Sequence, residues 1–119
     1  MSIIASEKNF ENRVKKFLKD EGCYFLKYWG GGEFTKAGIP DILCCGHGRF
    51  FGIEVKAPNG KPSPLQVLNL RKIHEAGGCA ILLYPKDFDM LKRLIQNPDN
   101  KKLYEVLKGR WVEWEQRFK

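Results

Sequence analysis

The chain has 119 residues, 43% of them hydrophobic and 29% charged, the size of one small domain that can bury a real core. No apolar run approaches the ~20 residues of a membrane span, and MSIIASEKNFENRVKK lacks the basic start and apolar core of a secretory signal, so a cytoplasmic protein is expected. The net charge of +7 and a pI near 9.3 favour a polyanion, nucleic acid before others, as partner. Cys23, Cys44, Cys45 and Cys79 form no CxxC pair, and with only His47 and His74 beside them they read as small free thiols rather than a structural zinc site.

In chain order, residues 6 to 19 are expected to be helical. Ser6 is the expected cap, and Phe10, Val14, Phe17 and Leu18 form one apolar stripe. CYFLKYW, residues 23 to 29, reads as an aromatic-rich strand. A glycine loop from Gly30 leads to Gly38. Trp29 at its edge and Phe34 within it are either stacking surfaces for exposed bases, or Trp29 is core and the glycines only permit a turn. Asp41 to Cys45 and Arg49 to Lys56 are two strands around a tight Gly46-His47-Gly48 turn. Ser63-Pro64 opens a helix that runs to Ala76 and stops at Gly77-Gly78. Cys79 to Tyr84 is a buried type of strand, and a further helix follows from Pro85 or Asp87 to Asn97-Pro98. In the tail, Leu103, Leu107, Trp111, Trp114 and Phe118 make a second stripe, which either packs on the chain's own sheet or meets a second copy. Gly109 argues against one unbroken helix there. The order is that of a mixed α/β domain.

The chemistry lies in the hairpin. Paired residue numbers in an antiparallel hairpin add to a constant. A turn centred on His47 gives 94 or 95, which sets Asp41 opposite Ile53 or Glu54, with Cβ atoms roughly 5 Å apart. Strand alternation puts Glu54 and Lys56 on one face and turns Val55 to the other. Two carboxylates so close repel unless a positive charge joins them. Lys56 supplies part of that charge, and a divalent cation that prefers oxygen, Mg²⁺ or Mn²⁺, supplies more. The plain alternative is a cross-strand salt bridge. Glu7 and Glu11 share a face of the first helix, and Glu11 borders the apolar stripe as a possible third carboxylate; both also suit the helix dipole. Gln66 falls inside the apolar arc of its helix, where its amide needs a partner: a site carboxylate, the scissile phosphate or a backbone group.

Taken together, Gly38-Ile39-Pro40-Asp41, Glu54-Val55-Lys56 and the downstream Gln66 resemble the PD-(D/E)xK nuclease superfamily, and within it the VRR-NUC (virus-type replication-repair nuclease) domains, in particular the small stand-alone phage members. The resemblance implies a restriction-endonuclease-like α/β core with a mixed central sheet flanked by helices. The motif-bearing part spans about residues 7–84 of a single 1–119 domain, with a helical tail from about 85. It implies Asp41, Glu54 and the Val55 carbonyl as metal ligands, with Glu11, or alternatively Glu7, as the helix-one acid. Lys56 would be the catalytic lysine, Gln66 the family's glutamine, and Lys36 and Ser63 DNA contacts. The implied activity is Mg²⁺- or Mn²⁺-dependent hydrolysis of DNA phosphodiesters by a homodimer similar to Holliday-junction resolvases, in the host cytoplasm, without an organic cofactor.

Two other readings stay open from residues alone. A nucleic-acid-binding module would keep the basic charge and dispense with metal. A nuclease for linear, flap or nicked DNA would share the site and differ in the loops and assembly that read substrate shape.

Overall fold

The computed structural model describes residues 3–30, 32 and 36–119, with residues 3–5 described by their backbone. The first helix, α1, spans Ile3–Asp20, so Ser6 lies inside it and is not its cap. Nothing between Ile3 and Ser6 breaks a helix, and the turn propagates back past the expected start. Phe10, Val14 and Leu18 are buried as the stripe predicts.

Four strands form one sheet in the order β1-β2-β3-β4: β1 Tyr24–Lys27, β2 Ile42–Gly46, β3 Arg49–Val55 and β4 Cys79–Leu83. The first three pair antiparallel and β4 joins β3 in parallel. The β2–β3 turn has two residues, His47 and Gly48, both at positive φ (50° and 78°), the geometry whose twist matches a hairpin. The parallel step needs a crossover, supplied by α2 (Pro64–Glu75). A 3₁₀ turn at Pro85–Asp87 leads into α3 (Phe88–Gln96), and α4 covers Lys101–Arg117.

The sheet separates two cores. Ile42, Phe51, Ile53 and Val55 pack with α1 and α3 on one face, and Ala80 and Leu82 pack with Val67, Leu70 and Trp111 on the other. Cys44 is buried and Cys45 exposed, as strand alternation requires. α4 lies against the edge strand β4, where it contributes Leu103 and Leu107 to the first core and Trp111 to the second. The Trp111 indole N–H donates to the Ala80 carbonyl at 2.9 Å. The inner part of the C-terminal stripe therefore packs on the chain's own sheet. α4 also runs through Gly109 without a break, because tertiary packing on either side of that glycine outweighs its propensity. Among the described residues no helix is long and apolar enough to cross a membrane.

Candidate active site

The register decides the central question. Ile42 pairs with Ile53 and Gly46 with Arg49, so paired numbers add to 95, and the next step beyond the ladder sets Asp41 against Glu54. The Asp41 carboxylate accepts the Val55 backbone N–H at 2.9 Å, which ties the residue just before β2 to the end of β3. The neighbouring Gly38 holds φ +82°, and a Cβ there would meet Leu65 Cγ at 2.7 Å, so the approach to Pro40-Asp41 is pressed against α2 in a way only glycine permits.

Glu54 is 3% exposed. Burial first, and the neighbouring Asp41 second, push its carboxyl up to about 8. Lys56 Nζ lies 3.4 Å from Glu54 Oε2 and donates to Gln66 Oε1 at 3.1 Å. Gln66 Nε2 in turn donates to Glu54 Oε2 at 3.2 Å. The same Gln66 Oε1 accepts the Ser63 backbone N–H at 2.9 Å, and the Gln66 N–H donates to Ser63 Oγ at 3.1 Å, so Ser63 and Gln66 form a complete capping box at the start of α2. Two of the three partners weighed for this amide, a site carboxylate and a backbone group, are present. The helix cap fixes the glutamine, and the glutamine fixes Glu54 relative to Lys56.

No family model and no curated protein matches the sequence. A solved VRR_NUC domain structure does match the fold, with a TM-score of 0.59 at 21% identity, over 77% of this chain and 96% of that one. The chain has the VRR_NUC fold. This is the restriction-endonuclease-like arrangement expected from the motifs.

In this VRR_NUC fold the site has a second half, on α1 and β1. Lys27 Nζ lies 2.6 Å from Glu11 and 3.4 Å from Asp41 Oδ1, and Lys15 adds a 3.1 Å contact to Glu11. Burial is the largest single influence on both Glu11 and Lys27 and opposes their ionisation, but their mutual hydrogen bond and attraction, with Lys15 beside Glu11 and Asp41 beside Lys27, together outweigh it, so Glu11 is held below and Lys27 above its ordinary range. Glu7 is shifted the other way, raised chiefly by burial, with Lys56 opposing and Asp41 adding to the rise. Glu7, Glu11, Lys27 and Asp41 line one cavity of about 240 Å³. Both helix-one acids therefore reach the site; Glu11 is engaged by lysines, and Glu7 feels Lys56 and Asp41. Lys27 was not singled out from the sequence. Its signal was there, since it follows Phe25 by two on β1 and so is a lysine on the α1-facing side of an apolar strand.

Three further residues are placed as follows. Ser63 caps α2. Lys36 is exposed, its backbone N–H donating to Tyr28 Oη at 2.8 Å. Trp29 is 72% exposed with Lys27 Nζ 5.4 Å from its ring, which overturns its reading as core: β1 ends at Lys27, and the chain beyond leaves the sheet. Phe34 lies outside the described residues.

The donor set suits a hard divalent cation. Asp41 and Glu54 present carboxylate oxygens side by side, and the buried Glu54 stays protonated well above its usual range even with Lys56 beside it, so a cation shared by the two carboxylates would favour its ionised form. Among the described residues no three acidic, His or Cys side chains converge as a cage. Mg²⁺ does not demand one, since it keeps several waters and uses one or two carboxylates.

Proposed function

We propose that the chain is a metal-dependent DNA endonuclease. The observation that carries this reading is the buried Glu54 held between Asp41 and Lys56 by a glutamine that is itself locked into a helix cap. An isolated surface salt bridge needs no such scaffold, whereas a reaction centre does. Asp41, Glu54 and the Val55 carbonyl would hold Mg²⁺ or Mn²⁺, with Glu11 or Glu7 as the helix-one acid. The bound ion supplies Lewis-acid polarisation of the phosphoryl oxygen and a more acidic water. Lys56 Nζ opposes the charge that develops on the attacked phosphate. Gln66 keeps Lys56 and Glu54 in register, and Lys27 holds Glu11 against Asp41. Lys36 and Ser63 are proposed DNA contacts at the rim. The whole chain, 1–119, acts as one nuclease domain, and four free cysteines suit a reducing cytoplasm, that of a phage host.

The preferred substrate in this reading is a four-way junction and the working unit a homodimer, because two symmetric cuts need two sites related by a two-fold axis. What supports a second copy is the sheet face that α2 leaves open. Tyr24, Cys45 and Phe50 face each other across three strands, with Leu26 and Leu43 in the next row. Tyr24 is 78%, Leu26 45% and Phe50 43% exposed. This row replaces the C-terminal stripe as the dimer surface. The test compares a labelled four-way junction with a linear duplex of equal length in Mg²⁺ or Mn²⁺. Paired symmetric cuts confined to the junction are expected. Equal cutting of both substrates removes the junction specificity, and tight binding with no cutting of either returns the chain to a binding module.

A further inference from the structure

The α4 side of the molecule carries a groove that the catalytic reading leaves unused. Its cavity of about 380 Å³ is lined by the loop after β3, by Tyr84 and Lys86, and by one face of α4. Arg110, Trp114 and Arg117 stand at i, i+4 and i+7, which puts them in line on that helix. Arg110 is committed to structure, since its guanidinium makes two 3.0 Å bonds to Asp87, a carboxylate only 1% exposed. Lys61, Lys86 and Arg117 are exposed and enter no ion pair among the described residues. Against these three cations the groove sets the single free carboxylate of Glu113. Arg117 lies 4.6 Å from the Trp114 ring and Lys86 5.9 Å from that of Tyr84, so charge and aromatic surface alternate along the wall.

The loop wall of the groove reaches the stem of Lys56. Gly60 lines it, and a Cβ at Gly60 would come within 3.2 Å of Lys56 Cβ. Tyr84 Oη donates to the Gly60 carbonyl at 2.9 Å and pins the loop to β4's end. Lys61, Lys86 and Arg117 share the groove with that loop, so a strand that leaves the site on the Lys56 side has three cations within one groove to receive its phosphates. Cations along a groove with aromatic rings between them are the arrangement that tracks a nucleic-acid backbone.

We propose that this groove, through Lys61, Lys86 and Arg117 with Trp114 against a sugar or base, holds the phosphodiester backbone of the DNA strand flanking the cut. The proposal rests on the nuclease reading for its partner. Its contribution is positioning and affinity rather than the chemical step.

The test uses the full chain carrying Asp41→Asn, so that DNA stays intact, and measures binding of a labelled duplex over a salt series. Replacing Lys61, Lys86 and Arg117 together by alanine is expected to reduce the slope of log K against log salt by about 1 per residue, about 3 in all. A control with the same charge change off the groove, Lys19, Lys101 and Lys102 to alanine, is expected to lose distinctly less. Arg117→Gln alone, expected to lose about 1, serves if the triple variant does not fold. Equal slopes in the groove and control variants, an unchanged slope, or no binding by the parent protein would overturn the proposal. Cleavage by the wild-type chain is scored in parallel. A fallen slope without any cleavage keeps the groove and removes the nuclease; cleavage with an unchanged slope does the reverse.

Discussion

Glu54 is 3% exposed beside a second carboxylate, and burial followed by Asp41 pushes its carboxyl up to about 8. In the unfolded chain the same group ionises in the ordinary carboxylate range. Between that range and about pH 8 the unfolded state has lost a proton that the fold retains, so metal-free stability falls as pH rises across the window. Glu54→Gln removes the titration while keeping the Gln66 contact within reach. It is expected to flatten the decline of Tm between pH 5 and 8 in chelator, and to remove the rise in Tm that Mg²⁺ or Mn²⁺ gives the wild type. Parallel declines in the two proteins would show that Glu54 is not the strained group. At the other half of the site, Glu11→Gln is expected to impair cutting more than Glu7→Gln, because it also releases Lys27 from its 2.6 Å contact; the reverse ranking in a cleavage assay would exchange the two roles. Asp41, Glu54, Lys56 and Gln66 were legible in the sequence because a hairpin's arithmetic and a helical wheel bring them together. For Lys27 the sequence shows only its place on the α1-facing side of β1; its partners come from α1 and from the residue before β2, far apart along the chain.

At the scale of elements, α4 closes the edge strand β4 through a buried anchor. Trp111 is fully buried, and its indole is bonded to Ala80. Trp111→Ala is expected to lose about 3–5 kcal/mol of stability, read as a lower denaturant midpoint at unchanged slope; a midpoint within experimental error of the wild type would mean that α4 is an appendage. The strands and α2 could be read from alternation, turn residues and the Ser63-Pro64 start. The turn gave either 94 or 95 for the register, and the two-residue His47-Gly48 geometry selects 95. The start of α1 and the continuity of α4 depart from the local signals for one reason: those at Ser6 and Gly109 are worth about 1 kcal/mol or less, and packing outweighs them.

On the scale of the whole molecule, the open apolar row of the sheet and the groove cations lie on different elements. The open row of Tyr24, Leu26 and Phe50 lies on β1 and β3, whereas the groove cations Lys61, Lys86 and Arg117 lie beside α4. If the open row joins two copies, Leu26→Glu is expected to shift the sedimentation coefficient from dimer to monomer and to abolish paired cutting of a junction. A wild-type chain that sediments as a monomer at the concentrations used for cutting would remove that surface from the account. None of this was visible in composition alone, since a net charge of +7 says nothing about where the cations stand. The measurement that bears most directly on the central claim is cleavage of labelled DNA by the purified chain with Mg²⁺ or Mn²⁺, beside Asp41→Asn, Lys56→Ala and a chelator control. Cutting by the wild type that falls by at least about 100-fold in either variant and vanishes in chelator is the predicted result. Cutting that survives Asp41→Asn, or that persists without divalent metal, would contradict it.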